Sequence, residues 1–141
     1  MLPTLNKKAT ATLAKLLDGL ERVGDHRTID NSNGTYMPVH VDIIGKPDFP
    51  TNLPLRSDAK LVSVAHYFKQ EGDMCADPDV VFLVTKEVVV PMTFQQAIPP
   101  IYQVAVEIEG GKILIHERAA KSLVRFCNQW LGINIAAQQH L

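Results

Sequence analysis

The chain is short of cysteine, of one-sided charge and of long apolar runs, and each shortage closes off a class of function. Its 141 residues include only two cysteines, Cys75 and Cys127. Two are too few for a disulfide framework, and no Cys-x-x-Cys spacing offers zinc a thiolate pair. This usage points to a reduced, cytoplasmic protein. The charges nearly cancel, 14 basic against 15 acidic, for a formal net charge of −1. A non-specific nucleic-acid binder needs a concentrated positive field to displace counterions from phosphate, so nucleic acid is not the favoured partner. It would regain weight only if Lys7, Lys8, Lys15, Arg118, Lys121 and Arg125 converged on one face. No apolar run approaches the roughly 20 residues of a membrane span, and no signal-peptide pattern opens the chain, so no membrane association is expected. Phosphate-loop, dinucleotide and metalloprotease motifs are absent as well. No catalytic residue, metal or cofactor is assigned from the sequence.

What is present is the composition of an ordinary globular domain, 46% apolar and 21% charged, which excludes a wholly disordered chain. The length fits one domain, read as residues 1–133, with a polar tail at 134–141 that lacks a periodic stripe and is expected to fray. Ala9, Leu13, Leu16, Leu17 and Leu20 recur at helical spacing after Thr4, a candidate N-cap, and Gly24 suits the residue past the helix end. Asn33-Gly34 signals a hairpin between a strand at Arg27–Asp30 and a second at Met37–Ile44. The proline-bearing stretch Gly45–Asp58 reads as a long surface connection.

The chain is organised around His66–Phe82. Leu61–Phe68 is apolar on both faces, with Val62, Val64, His66 and Phe68 pointing one way and Leu61, Ser63, Ala65 and Tyr67 the other. Val80–Val84 is a second buried strand, and Glu71-Gly72-Asp73 supplies the reversal. The pair is expected to form an antiparallel hairpin with a long acidic tip. Pro91 places the next strand at an edge or a bulge. Ile101–Glu109 alternates cleanly, with Tyr102, Val104, Val106 and Ile108 inward and Gln103, Glu107 and Glu109 outward. Gly110-Gly111 turns it back. A last helix follows His116-Glu117, with Ala120, Leu123, Val124, Cys127 and Leu131 buried and Gly132 as its stop. Helical stripes at the two ends and two-residue periodicity between them predict an α+β fold. The expected architecture is a curved antiparallel sheet of five to seven strands with the N-terminal and C-terminal helices packed on it.

Ser63-Val64-Ala65-His66-Tyr67-Phe68, Gln70, Gly72-Asp73 and Asp77-Pro78 form one motif. Pro91, Thr93-Phe94, Gln96 and Tyr102-Gln103 extend it. Over the second half of the chain this pattern resembles an uncharacterised domain family of proteobacterial plasmids, integrative elements and phages. Glu71, Cys75 and Ala97 depart from the usual residues. The resemblance implies an accessory protein of a mobile element and assigns no activity.

The candidate binding residues are His66, Tyr67, Gln70, Asp73, Asp77, Gln95, Gln96 and Gln103. His66 titrates near neutrality, although a histidine on an apolar strand face is more often a hydrogen-bonded core residue. Asp73 and Asp77, with Glu71 and Asp79, offer oxygens to a cation, but turn capping explains such residues as well. His40 and Asp42 lie two apart on one face and can pair. Gln95, Gln96 and Gln103 form a candidate recognition strip. Cys75 among carboxylates is poorly placed to become a thiolate nucleophile. The reading favours a non-catalytic binding protein with a protein partner, and it allows a homodimer. The alternatives are a metal-dependent, nuclease-like enzyme using Asp79 and Glu107 or the acidic tip, and a nucleic-acid-binding module.

Overall fold

The structure, a computed structural model, describes residues 2–30, 36–47 and 58–141, with the backbone alone at Phe68, Lys69, Gln70 and Met74. The expected Asn33-Gly34 turn and most of the proline-bearing connection lie outside the described residues, as do the side chains of Phe68 and Gln70. The first helix, α1, runs Lys7–Leu17. Asn6 rather than Thr4 is its cap, because the Asn6 carboxamide oxygen accepts from the Ala9 N–H at 2.9 Å. Ala9, Thr12, Leu13 and Leu16 form its buried stripe. The Arg27 guanidinium closes the other end by donating to the Leu16 carbonyl at 2.9 Å and to the Asp18 carbonyl. This joins an orphan helix terminus to the first strand.

Among the described residues six strands form one antiparallel sheet in sequence order. They are β1 His26–Ile29, β2 Val39–Gly45, β3 Lys60–Gln70, β4 Asp73–Val84, β5 Val89–Gln96 and β6 Ile101–Val104. A separate hairpin pairs β7, Val106–Glu109, with β8, Lys112–Ile115. Helix α2, Glu117–Gln129, follows. The expected α+β class and the two terminal helices are therefore observed. The inner face of the sheet carries Val39, Val41, Ile43, Val62, Val64, Val80 and Phe82, all at most 1% exposed, in one core with the helices. Burying side chains of this size contributes about 1.5–3 kcal/mol each before the cost of ordering the chain.

Several further features differ from the sequence reading. The central hairpin has no long acidic tip. Glu71 (φ 52°) and Gly72 (φ 89°) alone make the reversal, and Gln70 pairs directly with Asp73. Two successive positive φ angles match the twist of the flanking strands. Asp77 and Asp79 accordingly lie inside β4, not at a tip. A bulge sets Asp77 and Pro78 against His66, since Ala65 pairs with Asp79 and Tyr67 with Ala76. Pro91 likewise sits at a register shift on β5, which is an interior strand. Of the two roles open to it, the bulge is the one taken.

The predicted strand 101–109 breaks at Ala105. Its N–H donates to the Met92 carbonyl at 2.7 Å, while its carbonyl accepts from the His116 N–H at 2.8 Å. One residue thus serves both sheets, and the chain changes sheet there. Tyr102, expected inward, is 65% exposed.

The C-terminus does not stop at Gly132. The chain continues as a π-helical turn, Trp130–Ile135, and a short helix α3, Ala136–Gln138. A Cβ on Gly132 would stand 3.3 Å from Lys8 Cβ and 3.4 Å from the Ala9 nitrogen. Gly132 lets two helices approach closely; it does not cap one. The tail expected to fray instead buries Ile135 and Gln139 completely, and Gln139 Nε2 donates to the Met37 carbonyl at 3.2 Å. A wider helical turn followed by one buried amide leaves no 3.6-residue stripe to read.

Candidate functional site

The strand register converts scattered polar residues into one line. Thr28 pairs with His40, His40 with Ala65, Ala65 with Asp79, Asp79 with Gln95, and Gln95 with Tyr102. Partners in register lie on the same face, so these six residues cross all six strands in a row on the side away from α1 and α2. The next row begins His26, Asp42, Ser63. The outer face is polar along this row but covered beyond it, since Leu83 and Val90, on the same face two rows away, are at most 1% exposed.

The row is held by specific bonds. Ser63 Oγ donates to Asp79 Oδ1 at 2.7 Å, and the Tyr67 hydroxyl donates to Asp79 Oδ2 at 3.4 Å. The Tyr67 ring meets the His40 ring edge-on at 5.2 Å, and His40 Nδ1 lies 3.1 Å from Thr28 Oγ1. Burial, aided by the neighbouring Asp79 carboxylate, raises the Tyr67 phenol above its ordinary value and keeps it a donor. The result is a carboxylate fixed by two hydroxyls with acceptor capacity left over, between a histidine and a glutamine amide. Ser63 donates its hydroxyl to a carboxylate and not to an imidazole, so the arrangement is not that of an activated serine.

The structure divides the sequence-derived site residues. Tyr67 and Gln95 belong to the outer face. His66 does not: it is 5% exposed on the inner face, with Nδ1 3.2 Å from the Pro38 carbonyl and its ring edge-on to Trp130 at 5.6 Å. Burial lowers its pKa below the ordinary imidazole value, which makes it a neutral core histidine. Asp77 stands in the bulge opposite His66, and Asp73 is exposed at the turn. Gln96 Nε2 donates to the Pro99 carbonyl at 3.1 Å and so braces the bend before β6. Gln103 pairs with Phe94 on the inner side of the sheet. The three glutamines therefore do not form one strip.

His40 engages Thr28 and Tyr67 in place of the expected Asp42. Asp79 and Glu107 fall in different sheets, and Glu107 faces His116 Nε2 at 3.6 Å. Among the described residues no three His, Cys, Asp or Glu side chains converge on a metal-sized site. Burial pushes the Cys127 thiol well above its ordinary value, leaving it an inert core group. Thr28, Ser63 and Tyr102 were missed as site residues, because only the pairing register aligns them.

The chain matches the model of a domain of unknown function, DUF6908, over residues 8–141. It belongs to the DUF6908 family. The match takes in α1 and β1 as well as the motif-bearing second half. Nothing among the curated proteins or the solved structures matches the chain. The outer-face row of this DUF6908 domain consequently rests on its own geometry.

Proposed function

We propose that this DUF6908 domain is a non-catalytic protein-binding module whose recognition surface is the outer face of the six-stranded sheet. One observation carries the reading. The row from Thr28 to Tyr102 holds the Asp79 carboxylate and the His40 ring already oriented by neighbours, and it ends at a 65% exposed tyrosine. A tyrosine with a rigid polar surround is a favoured interface anchor, since it gives large contact area at small entropic cost. The resemblance carried by Ser63–Phe68, Gly72-Asp73, Asp77-Pro78 and Tyr102-Gln103 supports an accessory role in a mobile genetic element, and the sparse cysteines support a cytoplasmic location. Catalysis finds less support, because the Asp79 carboxylate is held by hydroxyls and no nucleophile–base pair accompanies it.

The test is affinity capture from a native host with wild-type protein, a Gln95→Ala/Tyr102→Ala double variant and a Lys86→Ala control. All three should melt alike, since the altered side chains are exposed. A partner held by wild type and control and lost by the double variant bears the reading out. A partner retained equally by all three overturns it.

A further inference from the structure

Strand β6 is one edge of the sheet. The Ala105 N–H donates to the Met92 carbonyl, and antiparallel alternation from that bond directs the backbone groups of Gln103 and Ile101 toward β5. Those of Tyr102 and Val104 then face outward, away from the sheet. The opposite edge, β1, is less accessible, because Arg27 ties it to the end of α1.

Each face of β6 also adjoins a depression. On the outer side a cleft of about 650 Å³ separates the sheet from the β7–β8 hairpin, lined among others by Leu61, Met92, Tyr102, Val104 and Val106. On the inner side a smaller groove of about 190 Å³ is lined by Phe94, Gln103, Ser122, Leu123 and Phe126. A strand laid beside β6 would project alternate side chains toward these two depressions. The nearby cations complement a carboxylate. Exposed Lys46 borders the cleft, and exposed Arg118 lies one helical turn before Ser122 on the same stripe of α2. The cleft's own acid, Glu107, faces His116.

We infer that β6 receives an extended segment of a partner protein as a seventh strand, with a large apolar side chain in the cleft, a neighbouring apolar side chain in the groove, and a carboxylate directed to Arg118. The inference rests on the protein-binding reading and specifies the partner's chemistry. Backbone pairing would supply affinity, and the unequal depressions would supply register and specificity.

The test selects a displayed library of random twelve-residue peptides on the full-length protein, then measures the winning peptide by fluorescence polarisation. Enriched peptides should carry adjacent apolar residues and an acidic one. N-methylation of alternate amides, those facing β6, should weaken binding at least about tenfold, while methylation of the intervening amides leaves it within about twofold. Val104→Trp and Ser122→Trp, which fill the cleft and the groove, should each weaken it similarly. Failure to enrich any peptide, a methylation scan without alternation, or indifference to both tryptophans overturns the inference. So does sedimentation showing a dimer closed through β6, which would make a second copy the occupant. If methylation is silent while capture still depends on Gln95 and Tyr102, strand addition fails and the outer-face reading stands. If that dependence is also lost, both fail.

Discussion

Lowering the pH tests whether His66 is the neutral core residue its surroundings describe. The imidazole is 5% exposed, against Trp130 and the Pro38 carbonyl, and burial holds its pKa below the ordinary 6.5. The unfolded chain takes up a proton near pH 6.5 that the folded chain resists. The histidine's contribution is therefore fully present above that pH and is lost as pH falls through 6.5 toward the folded value. One proton changes stability by at most about 1.4 kcal/mol per pH unit, so the His66 contribution to the loss between pH 7.5 and pH 5.5 is bounded near about 1.4 kcal/mol. Urea unfolding at several pH values, for wild type and for His66→Phe, isolates this contribution. Titrations elsewhere are shared by both proteins and cancel in the difference. His66→Phe should show the shallower decline over that range. Parallel declines would mean that His66 is protonated in the fold as readily as in the unfolded chain, and the neutral-core argument would fail.

Phe82→Ala should cost about 3–5 kcal/mol in the same urea assay, because the ring, near the C-terminal end of β4, is fully buried in the core and its removal leaves a cavity. A loss below about 1 kcal/mol would place Phe82 outside the main core. Gly72→Val should cost about 1–3 kcal/mol through backbone strain alone, as φ is 89° and nothing lies within 4 Å of the added Cβ. Gly72→Ala at nearly the same cost as the valine change would confirm that strain, and not crowding, is responsible.

Local sequence determined the elements of this protein wherever one period dominated. The Ala9–Leu13–Leu16 stripe, the β-branched run Val80–Val84 and the glycines of the tight turns each impose a conformation through neighbours a few residues away. The α+β class follows from their order. The departures lie where distant parts of the chain meet. Gly132 looks like a helix stop until α1 is seen passing 3.3 Å from its missing Cβ. Ala105 sits mid-pattern in a clean alternation, yet its two backbone groups bond to β5 and to His116 and divide the strand. The outer-face row has the same origin. Thr28, His40, Asp79, Gln95 and Tyr102 span 75 positions of sequence, and no periodicity links them. A strand's period fixes only which residues share its own faces. Which face meets the helices is decided by burial of the inner valines, and which residue of the next strand stands opposite by the two-residue turn together with the bulge at Asp77-Pro78, which moves Asp79 into register with Ala65.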